Sequence, residues 1–164
     1  MNLVKSKIGE FGLLGALILL LMVYTLIAPN FMSVNNALNI LRSAALVAIV
    51  AIPMTFVLIS GEIDISAGPL AAFSGVMFAL LVSHAGVGFV LAALIVLLIG
   101  TLSGTFVGAM RAYLNIPSFV TTLALWGALR GLAIWSSGGH AVFIKDRSLR
   151  QTFGGDWLGI PVPI

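Results

Sequence analysis

Ser60-Gly61-Glu62-Ile63-Asp64-Ile65-Ser66-Ala67-Gly68 is the stretch whose reading decides the fold. Its two carboxylates stand between apolar runs, residues 43–60 before them and 65–110 after, and neither run holds a formally charged residue. On insertion scales a carboxylate at the centre of a membrane helix costs about 2.5–3.5 kcal/mol. A polar break in such sequence is therefore either a turn at the membrane edge or a functional interior site. In the first reading Asp64 caps a helix that starts near Ile65. In the second, an unwound segment offers its backbone groups and carboxylates to a transport path.

The surrounding composition decides the solvent. Of 164 residues, 60% are hydrophobic and 8% charged, with a mean hydropathy of +1.18. A soluble domain that hydrophobic needs apolar stripes alternating with charged faces, whereas residues 11–28 run without one charge. The fold predicted is all-α, a polytopic membrane helix bundle of about five spans, with a helix break near Gly61–Gly68 and the lipid bilayer as its surroundings. The net charge of +3 and pI near 9.8 do not indicate nucleic acid, because the basic residues form no patch with interleaved aromatics and juxtamembrane Lys and Arg account for them. Cysteine is absent, which excludes disulfides and thiolate metal sites.

Outward from the break, the chain divides into a polar, cytoplasmic head over 1–10, a transmembrane helical region over 11–139, a polar loop over 140–158, and an apolar start of a further, truncated span over 159–164. The first span covers 11–28, about 27 Å at about 1.5 Å per residue. Ser33, Asn35, Asn36 and Asn39 read as a loop leading into a helix start, and the second span as 43–60 with Pro53 inside it as a tolerated kink. Residues 65–110 are long enough for two spans joined by a turn at 83–88, where His84 reads as a surface turn residue more readily than as a proton relay. Gly100, Gly104 and Gly108 recur on one helix face, a packing motif that lets a neighbouring backbone approach. Arg111 to Ile116 reads as a loop with Asn115 a cap, and 117–137 as the fifth span, interrupted by Arg130. With the head inside, the loops carrying Arg111 and the Glu62/Asp64 pair share the cytoplasmic side.

From Met54-Thr55-Phe56-Val57-Leu58-Ile59-Ser60-Gly61-Glu62 through Ile63-Asp64-Ile65-Ser66-Ala67-Gly68 the chain resembles the inner-membrane permeases of ribose-type ABC importers, which read M-T-x-V-I-x-x-G-G-I-D-L-S-V-G here. The resemblance continues at Pro117-Ser118-Phe119-Val120-Thr121-Thr122-Leu123, at Leu129-Arg130-Gly131-Leu132 with Ser137-Gly138-Gly139, and at Gly159-Ile160-Pro161-Val162-Pro163. Glu62 departs from it, standing where many relatives have glycine. The resemblance implies a multi-pass protein of the inner (plasma) membrane. It also implies a path formed with a second permease copy, an external solute-binding protein for a sugar or sugar-like solute, and cytoplasmic ATPase subunits. It further implies a chain about twice this length, of which this is the N-terminal half.

Chemistry of other kinds is not indicated. The phosphate-binding pattern G-x-x-x-x-G-K-[ST] is missing, so ATP hydrolysis falls to a separate subunit and the chain is not expected to be an enzyme. His84, His140, Glu62 and Asp64 show no metal-ligand spacing, and no cofactor is implied. The candidate path or break residues are Gly61, Glu62, Asp64, Ser66, Gly68 and Arg130, with Arg130 either an interfacial anchor or an interior partner of Asp64. The other readings are a small membrane assembly partner without its own path, and a secondary transporter, which would be expected to carry more intramembrane ionisable groups. Asp64→Asn separates the two roles of the break: if capping dominates the fold is largely kept, because Asn also caps, whereas a charge serving the path shows as lost uptake at normal membrane abundance.

Overall fold

The computed structural model describes residues 2–145, 149, 155–157 and 160–161, with side chains described from Gly12 onward except in the short strands. Five helices follow one another: α1 Asn2–Ile27, α2 Val34–Ile59, α3 Ala67–Ser83, α4 Phe89–Leu114 and α5 Ser118–Ser137. A two-residue strand β1, Asp156–Trp157, then pairs antiparallel with β2, Ile160–Pro161. Helices α2, α4 and α5 are long and apolar enough to cross a membrane, and Gly12–Ile27 and Ala67–Ser83 are shorter apolar helices. This is the helical membrane bundle the composition predicts. The polar cluster at 146–148 and 150, and residues 159 and 162–164 of the expected further span, lie outside the described residues.

Several boundaries differ from the sequence expectation, each for a local reason. The polar head is part of α1 and not a separate segment. Helix α2 begins at Val34, well before residue 43, because Ser33 already supplies the cap: its Oγ accepts from the Asn36 amide at 3.2 Å, and the Asn36 side chain donates back to the Phe31 carbonyl at 2.8 Å. Pro53 is accommodated inside α2 without ending it. Helix α4 runs through Arg111 to Leu114, and Asn115, at φ 54°, closes it in the left-handed conformation instead of starting the next helix. Arg130 does not interrupt α5.

Helices α3, α4 and α5 pack on one another, and α2 lies against β2. The buried apolar positions are mostly small, Ala79, Ala92 and Ala133 with Leu129. Small residues let backbones approach, which is how helices associate where lipid is as apolar as any side chain. Phe78 and Phe89 meet edge to face, ring centroids 5.7 Å apart, where α3 ends and α4 begins. Helices α3 and α5 run in the same direction. Ile63, just before α3, bonds to Ser118 at the start of α5, and at the far end the Lys145 amide donates to Ser83 Oγ at 3.1 Å. Large apolar side chains of α1 and α2, such as Leu17, Leu19, Val47 and Ile52, are exposed, as suits surfaces that meet lipid.

The turn out of α2 depends on Gly61, whose φ of +76° lies where a side chain is strained. Nothing lies within 4 Å of a Cβ built there, so the strain is of backbone origin alone. Gly61→Val is expected to lower the thermal midpoint in detergent by an amount equivalent to about 1–2 kcal/mol, with Gly61→Asn milder. Equal melting of the two variants and the parent would show that the turn relaxes at no cost.

Candidate functional site at the break between α2 and α3

Helix α2 ends through two backbone bonds, Gly61 N–H to the Leu58 carbonyl at 3.0 Å and Glu62 N–H to the Val57 carbonyl at 3.2 Å. Residues 62–66 are then non-helical until α3 starts at Ala67. Leaving helical geometry frees backbone groups, each costing about 1–3 kcal/mol if buried without a partner. The first turns of α5 supply the partners. Ser118 Oγ accepts from the Ile63 amide at 3.1 Å, and Thr122 Oγ1 donates to the Ile63 carbonyl at 3.4 Å while also reaching the Phe119 carbonyl at 3.3 Å.

Asp64 acts within the break itself. Its Oδ1 accepts from the Ser66 amide at 2.7 Å and from Ser66 Oγ at 2.6 Å. This is a two-residue side-chain turn, so Asp64 does not cap the amides of α3 as the sequence suggests. Ser66 occupies the cap position without a side-chain capping bond. Ser66, Ser118, Thr121 and Thr122 are all buried, which makes the junction of break and α5 a hydroxyl-rich core in an otherwise apolar bundle. Thr121 Oγ1 has no hydrogen-bond partner among the described residues.

Glu62 lies outside the helices, where α4 stops. Arg111 Nε donates to its Oε1 at 2.6 Å, joining residues distant in sequence. Hydrogen bonding from Ser118, then from Arg111, holds the Glu62 carboxyl below its ordinary value of 4.5. The ion pair at the break is therefore Glu62 with Arg111, which the sequence reading did not raise; it left Arg130 as an interfacial anchor or a partner of Asp64. Asp64 and Arg130 form no ion pair among the described residues. Arg130 lies over the Trp126 ring, 5.5 Å from its centroid. Arg111, Ser118 and Thr122 are contacts the sequence reading missed. The signals were a hydroxyl pair four residues apart at the head of an apolar helix, and the placing of the Arg111 and Glu62 loops on one side.

The structure brings Gly61, Glu62, Asp64 and Ser66 into one segment, and sets Gly68 and Arg130 together along a groove between α3 and α5. Gly100, Gly104 and Gly108 stand apart on α4, with no atom of another element within 4 Å of a Cβ built at any of them among the described residues. Among the described residues no group of His, Asp or Glu could hold a metal ion.

Residues 36–150 match the protein family described as branched-chain amino acid transport system / permease component. The chain belongs to this permease family. The permease is 45% identical over 159 residues to the probable ABC transporter permease protein YphD of Escherichia coli (strain K12), covering 97% of this chain and 48% of that protein. It is 39% identical over 153 residues to the ribose import permease protein RbsC of Haemophilus influenzae, covering 91% and 47%. To the L-arabinose ABC transporter permease protein AraH of Azospirillum brasilense it is 34% identical over 161 residues, covering 98% and 47%. It thus spans about half the length of the relatives it matches. No solved structure matches it. The permease is a multi-pass protein of the inner membrane.

The Glu62 link has a defined pH signature. Because the folded carboxyl titrates below 4.5, its contribution to stability is complete above that value and is lost as pH falls through the lower folded value. The melting difference between the permease and Glu62→Gln is expected to be flat from about pH 7 to 5 and to shrink below 4.5. A difference that grew on acidification would contradict the assignment.

Proposed function

We propose that this chain serves as a transmembrane permease subunit, or the N-terminal half of one, in the ATP-driven import of a sugar or sugar-like solute. The observation that carries the reading is the helix break itself. Ile63, within the break, bonds to Ser118 and Thr122 in the first two turns of α5, a candidate span about 30 Å long at about 1.5 Å per residue. Non-helical backbone, Asp64 and several hydroxyls next to the head of that candidate span support the reading. Irregular backbone within a bilayer is tolerated where it is buried in protein or lines an aqueous cavity, as in the discontinuous helices of transporters. Likeness to relatives named for ribose and L-arabinose supports sugar as the solute class.

In this reading the bundle supplies a wall of the path and no bond-breaking chemistry. Cytoplasmic ATPase subunits hydrolyse ATP, an external binding protein delivers the solute, and a second permease copy completes the path. The break residues Gly61, Glu62, Asp64, Ser66 and Gly68 form the point at which the wall departs from straight helix. Uptake of labelled ribose and L-arabinose by cells carrying the full-length permease with its ATPase and binding protein is expected to stop on ATP depletion and to survive collapse of the proton gradient. Uptake that follows the proton gradient instead would make the protein a secondary transporter.

A further inference from the structure

Arg130 stands inside α5 without either of the usual accommodations for an intramembrane arginine. Among the described residues no carboxylate pairs with it, and the local ion pair belongs to Arg111 and Glu62. Nor does it reach for the nearer end of its helix. Its guanidinium lies over Trp126, one turn toward the N-terminus of α5, whereas the nearer end is Ser137. At about 1.5 Å per residue the level of Trp126 is about 12 Å from Ser118 and about 17 Å from Ser137, near the middle of the span. Helical side chains lean toward the N-terminus, so the direction is the natural one, and it holds the charge at depth instead of letting it snorkel.

At that depth Arg130 borders a groove of about 410 Å³ lined by Gly68, Pro69, Ala72, Trp126, Ala133 and Ile134. The volume is within the ordinary range for small-molecule sites, about 300–1,000 Å³, and a mostly apolar lining with one strong polar group is their usual make-up. Gly68 leaves its side open, with no atom within 4 Å of a Cβ built there. The guanidinium has up to five N–H donors and no acceptor, so an occupant must present acceptor oxygens. It must also present apolar surface to Pro69, Ala72 and Ala133. A polyhydroxylated ring does both, through hydroxyl oxygens at its rim and C–H faces. A lipid acyl chain would leave the donors without acceptors.

Building on the importer reading above, we propose that this groove is a sugar-contact site in the transport path. Arg130 donates to solute hydroxyls, and Trp126 fixes the guanidinium in place. Gly68 and Pro69, directly after the break, form its floor. The break then has a structural purpose: starting α3 late, beside Trp126, sets the small residues of its first turn opposite the arginine.

The chain contains no cysteine, so Ala72→Cys introduces a lone thiol into this segment, and Leu98→Cys on the exposed face of α4 serves as control. In the full-length permease with its ATPase and binding protein, a water-soluble maleimide is expected to modify Ala72→Cys. Whichever of ribose or L-arabinose is transported should slow that reaction about fivefold or more, leaving Leu98→Cys unaffected. Arg130→Gln should raise the half-saturation concentration about tenfold at unchanged membrane abundance, the size of one lost charged hydrogen bond. A thiol at 72 that is inert to the reagent in a transporting permease would show that lipid or another helix covers the groove, and overturn the proposal. So would a reactive thiol that transported sugar does not protect. If the unmodified permease takes up neither sugar, the importer reading fails first and this inference falls with it.

Discussion

A chain that leaves helical geometry in apolar surroundings must find partners for every backbone group it frees, and the arrangement of α3 and α5 follows from how that is done. The Ile63 amide and carbonyl are both taken by hydroxyls of α5, Ser118 and Thr122, and Asp64 takes the Ser66 amide. Each partner is short and rigidly placed. The break is consequently a defined conformation stitched to its neighbour, and Ser118 and Thr122 at the head of α5 are both buried and hydrogen-bonded. Without them the same residues would cost several kcal/mol in hydrocarbon and would be driven back into helix.

The spans themselves were legible because hydropathy needs no partner: a long charge-free run is a membrane helix wherever the rest of the chain lies. The turn at 83–88 and the break at Gly61 could be read for the same reason, as interruptions of such runs. Contacts across the bundle were not. Glu62 finds Arg111 only because α4 continues past the point where the sequence suggested a loop, carrying the guanidinium to the break. Asp64 was expected to cap α3 from a position too early in the chain. With Ser66 between it and the first helical residue, the shorter bond to the Ser66 amide wins. The start of α2 was placed late because three asparagines look like a loop, although a single serine ahead of them was sufficient to begin the helix. Arg130, open in the sequence to either an interfacial anchor or a pairing with Asp64, lies over the Trp126 face one turn away on the same helix, a contact that the charge pattern does not show.

The bundle separates its polar features by depth. At one end sit the Glu62–Arg111 pair and the turn at Gly61; further in lie the hydroxyl core and then the Arg130 groove; at the other end the Lys145 amide is tied to Ser83. Many large apolar side chains are exposed outside this column, including most of those on α2, none of whose residues is buried within this chain. Among the described residues the buried polar side chains, Ser66, Ser118, Thr121 and Thr122, are thus gathered where the break meets α5.

The shared direction of α3 and α5 also bears on why two carboxylates are tolerated beside the bundle. Aligned peptide dipoles give a helix about half a positive charge at its N-terminus and about half a negative charge at its C-terminus. Because α3 and α5 point the same way, two partial positive charges meet at the break, where Asp64 and Glu62 stand. Helices α2 and α4 both end there and bring two negative ends, with Arg111 in the last turn of α4. The two anions therefore share the break with two positive helix ends and with the Arg111 cation, which offsets the negative end of its own helix.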